Sequence, residues 1–224
     1  MNKKPIMWRW AWAFAVLLLP ALVARAQTAN VIQSVSSQSQ GGVEAVRIDF
    51  SRHQQQSPEY LAINPKGRVP ALVTPQGVIT ETPAILLYIA QVHPQAQLAP
   101  MADAFALAKV NEFNSYLCST VHIAHAHRPR AYRWADDEAA QAAMRAKVPH
   151  NMADCFAMIE QKMFEGPWVM GAQFTICDPY LFTVAGWLKG DGVDIQRFPK
   201  VAQHHARMLA DARVQKVVRP TSAA

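Results

Sequence analysis

The chain has 224 residues, room for two small domains or one large one, and its 51% hydrophobic and 9% aromatic content is ample for a packed core. A formal charge of +6 and a pI near 9.4 would ordinarily raise nucleic acid as a partner. Residues 1–26, however, hold Lys3, Lys4, Arg9 and Arg25 and no acid, leaving 18 basic residues against 16 acidic ones, so the excess belongs mostly to that segment and nucleic-acid binding is not supported.

That first segment has the three parts of a secretory signal. Lys3, Lys4 and Arg9 form a positive start, Ala11 to Val23 is an apolar run broken by Pro20, and Ala24-Arg25-Ala26 resembles a cleavage site. The run is shorter than the ~20 residues a membrane-spanning helix needs, so no stable span is expected. Against export stand Cys118, Cys155 and Cys177, an odd number spread through apolar helical stretches, which is no disulfide framework. The body of the chain reads as cytoplasmic; residues 1–26, taken as an authentic signal, read as export to the periplasm.

Residues 27–42 are polar and rich in Ser, Gln and Gly, which predicts a mobile polar linker. Val43 to Phe50 reads as a strand. Asn64-Pro65-Lys66-Gly67 is a turn, with Pro65 fixing φ and Gly67 free to take a positive φ. Val69 to Val73 is a short apolar strand. Pro70 cannot donate to a ladder, so the strand is an edge or the chain turns at Pro70. A cis Val69-Pro70 bond would expose the backbone N–H and C=O of Val69 to an incoming peptide, although cis bonds are only about 5–6% of X-Pro cases. Thr74-Pro75-Gln76-Gly77 and Val78-Ile79-Thr80 complete a hairpin.

Thr82 then reads as an N-cap with Pro83 at the first helical position. Such a helix start offers N–H groups and a positive dipole end to a carboxylate, and Glu81 beside it can receive an ammonium group. The plainer alternative is an ordinary capped helix.

Past Pro94 the pattern turns helical. Met101 to His127 has near-helical apolar spacing and stops at Pro129; Asp136, Asp137 and Glu138 open the next helix, which Pro149 should kink or split. Gly166-Pro167-Trp168 is a break. Thr175 and Asp178 form a capping box, preceded by Phe174 as a staple candidate. Trp168, Tyr180 and Trp187 read as core.

His122, His125 and His127 raise a metal reading, but no carboxylate or cysteine completes a set at ligand spacing, so no metal is expected. Arg128, Arg130, Tyr132 and Arg133 read as a solvated helix end or, alternatively, as the rim of a substrate pocket.

Asn64-Pro65-Lys66-Gly67-Arg68-Val69-Pro70-Ala71-Leu72, followed by Thr80-Glu81-Thr82-Pro83-Ala84-Ile85-Leu86-Leu87-Tyr88-Ile89-Ala90, resembles the second half of the glutathione-binding domain of cytosolic glutathione S-transferases, especially the bacterial beta-like type. The resemblance runs from about Val43 to the end. It implies an α/β plus all-α fold: a thioredoxin-like N-terminal domain over 43–94, lacking its first strand and helix, then an all-helical domain over 101–218. By the same resemblance, Val69, before the cis-proline Pro70, pairs through its backbone with the cysteinyl part of glutathione. Glu81 and Thr82 hold the γ-glutamyl end, His122 lines the site opposite glutathione, and the Thr175–Asp178 box starts a buried core helix. Family members place a catalytic cysteine, serine or tyrosine between their first strand and helix, and no such residue carries over here; Ile123 stands where some beta enzymes have lysine.

The activity implied is transfer of the glutathione thiolate to a hydrophobic electrophile, with glutathione as co-substrate, no other cofactor, and a homodimer as the usual assembly. The alternative is a non-catalytic module kept for binding or dimerisation. A thioredoxin-type oxidoreductase is disfavoured because no Cys-x-x-Cys occurs.

Overall fold

The computed structural model describes residues 28–33 and 44–218, so the signal-like segment over 1–26 lies outside the described residues. The chain divides into two compact units. The first takes residues 28–33, 44–98 and 212–218, and the second takes 99–211.

The first unit is built on a four-stranded sheet in the order β2-β1-β3-β4, with β1 Thr28–Gln33, β2 Glu44–Asp49, β3 Ala71–Thr74 and β4 Gly77–Thr80. Thr28–Gln33 falls inside the segment expected to be a linker, and it is a strand. It pairs antiparallel with β2, from Thr28 opposite Asp49 to Gln33 opposite Glu44, and parallel with β3, where Ile32 faces Leu72. A parallel β1–β2 pair would need a crossover of a dozen or more residues, whereas an antiparallel pair needs only a short connection. Residues 34–43, ten in number, fall short of the former and are ample for the latter. The expected absence of the first strand is thus corrected: a strand occupies the position beside β3, running antiparallel to β2.

Between β2 and β3 lies α1, Pro58–Ile63. Ser57 caps it by accepting from the Tyr60 N–H at 3.2 Å, and Pro58 takes a first-turn position where no donor is needed. After the hairpin comes α2, Thr82–Val92, which buries Ile85, Leu86, Ile89 and Ala90 at the spacing of one helical face. Leu72 and Leu98 of the same unit are buried as well.

The second unit is helical throughout. Its elements are α3 Ala104–Tyr116, α4 His122–Ala126, α5 Glu138–Met158, α6 Cys177–Ala185 and α7 Pro199–Ala210; α8, Ala212–Val218, belongs to the first unit although its sequence continues the helical run. Asp103 and Asp137 cap α3 and α5 by accepting from the N–H groups of Ala106 and Ala140. Of the kink or split expected at Pro149, the split does not occur: α5 passes through it as one helix. Pro149 is exposed, as is Arg145 one turn earlier, so water can take the carbonyl that proline leaves unbonded.

All nine residues of α6 are buried. The Thr175–Asp178 box forms at its start: Asp178 accepts from the Thr175 N–H at 2.6 Å, and the Thr175 hydroxyl accepts from the Cys177 N–H at 3.3 Å. Asp178 also accepts from the Val169 N–H at 2.8 Å and from His204 Nε2 of α7 at 3.1 Å, so it ties three segments together from a fully buried position. Phe174, the staple candidate, sets its ring edge-on to Trp168 at 5.3 Å.

Candidate functional site

In the first unit, local chain chemistry brings Val69, Pro70, Glu81 and Thr82 to one end of the β3–β4 hairpin. Its register sets Ala71 opposite Thr80. Pro70 therefore precedes one member of the terminal pair and Glu81 follows the other. The Val69-Pro70 bond is cis, and Pro70 stands just before β3, so the chain turns at the proline and the ladder has no missing donor.

The loop leading to Val69 is fixed from α1. The Tyr60 hydroxyl and the Asn64 side-chain amide both donate to the Arg68 carbonyl, at 2.5 and 2.6 Å. Burial raises the Tyr60 phenol above its usual value, which keeps it a donor. The Asn64 carboxamide oxygen accepts from the Lys66 N–H at 3.2 Å, closing the turn. Gly67 takes φ +58°, where a side chain is strained, and a Cβ there would crowd the Gln55 carbonyl and displace the end of the Gln56 side chain. Neither Tyr60 nor Asn64 was singled out from the sequence as a site residue; the turn reading of Asn64-Pro65-Lys66-Gly67 was the available signal for the second.

Glu81 has φ +73° and supplies the carbonyl that accepts from the Ile85 N–H at 3.0 Å. It, and not Thr82, therefore occupies the cap position. Thr82 is the first residue of α2, Pro83 the second, and no side chain hydrogen-bonds the cap. The N–H groups of the first turn have no intrahelical acceptor by construction. Lys66 reaches back to the Thr80 hydroxyl at 2.6 Å and pairs with the Glu81 carboxylate.

The helical unit holds a second cluster. The segment Leu117–Val121 is a π turn, which inserts a residue and shifts the following side chains by about 100° around the axis. His122 follows it directly. The imidazole of His122 lies 5.0 Å from the Trp187 ring, and that of His125 stacks on the same ring at 4.3 Å. His125 Nδ1 donates to Asp191 Oδ2 at 2.7 Å, and Arg128 Nε donates to Asp191 Oδ1 at 2.7 Å. Asp191 is buried, and a Cβ on Gly190 would meet Arg128 Nη2 at 3.0 Å, so glycine allows this close approach. Arg130 Nη2 lies 3.2 Å from His122 Nε2. His127 instead meets Trp134 edge-on. Among the described residues no three or more His, Cys, Asp or Glu side chains gather as a metal set.

Arg128 and Arg130, read as a solvated helix end or a pocket rim, have specific partners, while Tyr132 and Arg133 are exposed. Asp191 was invisible from the sequence because it lies 66 positions from His125. Cys155 and Cys177 are free and buried, and burial pushes both thiols up, Cys177 well above its ordinary value, so neither is a thiolate at neutral pH. Tyr116 is raised by burial too, and its hydroxyl donates to the Cys155 carbonyl.

Comparison with known proteins agrees with this architecture. The family model described as "Glutathione S-transferase, N-terminal domain" matches residues 24–91. A solved glutathione transferase homolog from sulfitobacter, with bound glutathione, is 40% identical with a TM-score of 0.76, covering 92% of this chain and 90% of that one. Glutathione S-transferase GstA of Escherichia coli O157:H7 is 28% identical over 76% of this chain and 82% of its own length. Glutathione S-transferase GST-4.5 of Xanthomonas campestris pv. campestris is likewise 28% identical, over 71% of this chain and 78% of its own. The chain belongs to the glutathione S-transferase family.

Proposed function

We propose that the protein is a glutathione transferase that binds glutathione through Val69, Pro70, Glu81 and Thr82 and transfers its thiolate to a hydrophobic electrophile. The observation that carries this reading is the Ala71–Thr80 register, which sets a turn with a presentable peptide group beside a helix start and an acid. The Val69 backbone offers one N–H and one C=O to the cysteinyl segment. The first turn of α2 offers donors to the γ-glutamyl carboxylate, and the Glu81 carboxylate receives the γ-glutamyl ammonium. To react near neutral pH, the glutathione thiol must be brought below the ~8.5 of free cysteine. His122 of the helical unit is the proposed catalytic residue, on the ground of the resemblance. Glutathione serves as co-substrate, and a homodimer is the proposed assembly.

The free, buried cysteines favour a reducing compartment, so the cytoplasm is the proposed location, with the periplasm as the alternative for a chain exported by residues 1–26. Among the described residues no helix is long and apolar enough to cross a membrane.

One observation favours a second reading, a binding or dimerisation module without turnover. Strand β1 pairs antiparallel with β2, so the strand-helix junction that carries the activating residue in the family has no counterpart among the described residues. Retention on immobilised glutathione followed by a conjugation assay with a generic electrophile separates the two. Turnover supports the enzyme, retention without turnover supports the module, and neither result defeats both.

A further inference from the structure

Asn114 stands on the buried face of α3, in line with Val110, Phe113, Leu117 and Val121, where the helical spacing calls for an apolar side chain. It is fully buried, and among the described residues neither its Oδ1 nor its Nδ2 has a hydrogen-bond partner. Asn64 of the first unit shows how such a group is ordinarily satisfied: buried as deeply, it donates to the Arg68 carbonyl and accepts from the Lys66 N–H. A carboxamide has two N–H donors and two acceptor lone pairs. Burying it unbonded is costly, and protein interiors avoid that cost through direct bonds or ordered water. We propose that the Asn114 carboxamide anchors an internal hydration site at the α3–α6 interface, where it binds at least one long-lived water.

The surroundings suit a bound water. Helix α3 packs against α6, and one turn before Asn114 the Cys177 thiol, at the start of α6, donates to the Val110 carbonyl at 3.6 Å. Helical side chains lean over the turn that precedes them, so the Asn114 carboxamide is directed toward this part of the interface. The Cys177 sulfur keeps a weak acceptor capacity there. With the two ends of the carboxamide it makes up the two or more polar partners that a buried water needs. The helix is also irregular at this point. The Leu117 N–H divides between the Phe113 and Asn114 carbonyls, and the π turn Leu117–Val121 follows at once. Interrupted helical ladders of this kind are among the places where water enters a helix.

The site belongs to the helical unit alone and stands independently of the glutathione reading. The first test is a crystal structure of the full-length wild type at a resolution that shows ordered waters. It should show a water about 2.7–3.2 Å from Asn114 Oδ1 or Nδ2. A carboxamide bonded directly to protein groups at both ends, or one packed dry, overturns the proposal. The second test counts long-lived waters in solution by ¹⁷O magnetic relaxation dispersion, in the wild type and in Asn114→Leu, which keeps the size of the side chain and removes both polar ends. The variant should hold at least one long-lived water fewer than the wild type. Equal numbers in the wild type and the folded variant overturn the proposal as well. Should Asn114→Leu fail to fold, the wild-type crystal structure decides by itself.

Discussion

Ala71 faces Thr80 across the β3–β4 ladder, and the peptide segments on either side of that pair, Val69-Pro70 and Glu81-Thr82, are the four residues proposed to bind glutathione. The hairpin is therefore the device that assembles the candidate site, and the flanking contacts only tune it.

Glu81 should discriminate the ligand's ammonium group. A hydrogen bond to a charged group contributes about 1.5–3 kcal/mol, so Glu81→Gln should weaken glutathione binding roughly tenfold or more. Lys66→Met should change it by no more than about threefold, because exposed ion pairs contribute about 0–1 kcal/mol and Lys66 and Glu81 are both about half exposed. Titration calorimetry on both variants checks this. Equal losses in the two would mean that the pair, and not the Glu81 carboxylate, is what the ligand recognises.

Tyr60 and Asn64 should act as one unit, because both donate to the same Arg68 carbonyl. Tyr60→Phe alone should cost about 1 kcal/mol of stability and weaken glutathione severalfold, since one donor remains. Adding Asn64→Ala should produce a loss larger than the two single effects combined. Denaturant unfolding together with binding measurements on the cycle decides the matter; strictly additive effects would show that the carbonyl is not held jointly.

Asp178 is fully buried and accepts from Val169, Thr175 and His204. Its removal strands donors on three residues, so Asp178→Ala should destabilise by about 3–5 kcal/mol, more than the roughly 0.5–2 kcal/mol of an ordinary cap. Urea unfolding measures it. A loss of under ~1 kcal/mol would make the box merely local.

His205 supplies a pH signature. Burial, with His204 adding to it, lowers the His205 pKa below 6.5, and its ring packs on Phe182 at 4.8 Å. A lowered histidine binds fewer protons folded than unfolded between its folded and unfolded pKa values. Stability is therefore full above the unfolded value and falls as pH drops from about 6.5 toward the folded value. Thermal melts of His205→Gln should show a shallower decline over that window than the wild type. Parallel curves would assign the decline to other groups, His93 among them, which burial also lowers.

The most legible part of the sequence was the part governed by short-range rules. Pro65 and Gly67 make a turn wherever they fall, Pro83 opens a helix, and Thr175 and Asp178 sit at the spacing of a box; each reappears in the structure within a residue. The one-residue displacement of the α2 cap from Thr82 to Glu81 comes from the positive φ of Glu81, which no local preference of glutamate announces. What stayed hidden depends on distant partners. Thr28–Gln33 is a strand because β2 and β3 flank it, not because its own pattern alternates. Pro149 is tolerated because it is exposed. His122 and His125 were noticed by their spacing, but the Trp187 ring and the Asp191 carboxylate that organise them come from a turn after α6.

The account stands or falls on whether the hairpin end grips a γ-glutamyl tripeptide by both its charged ends. Calorimetric titration of the folded full-length protein with glutathione, and with the analogue lacking the γ-glutamyl amino group, measures this directly. Saturable binding near one glutathione per chain is predicted, with the desamino analogue at least about tenfold weaker, the loss expected for one charge-assisted hydrogen bond. Equal affinity for the two, or no saturable heat up to about 10 mM glutathione, a concentration at which even millimolar affinity would register, would contradict it.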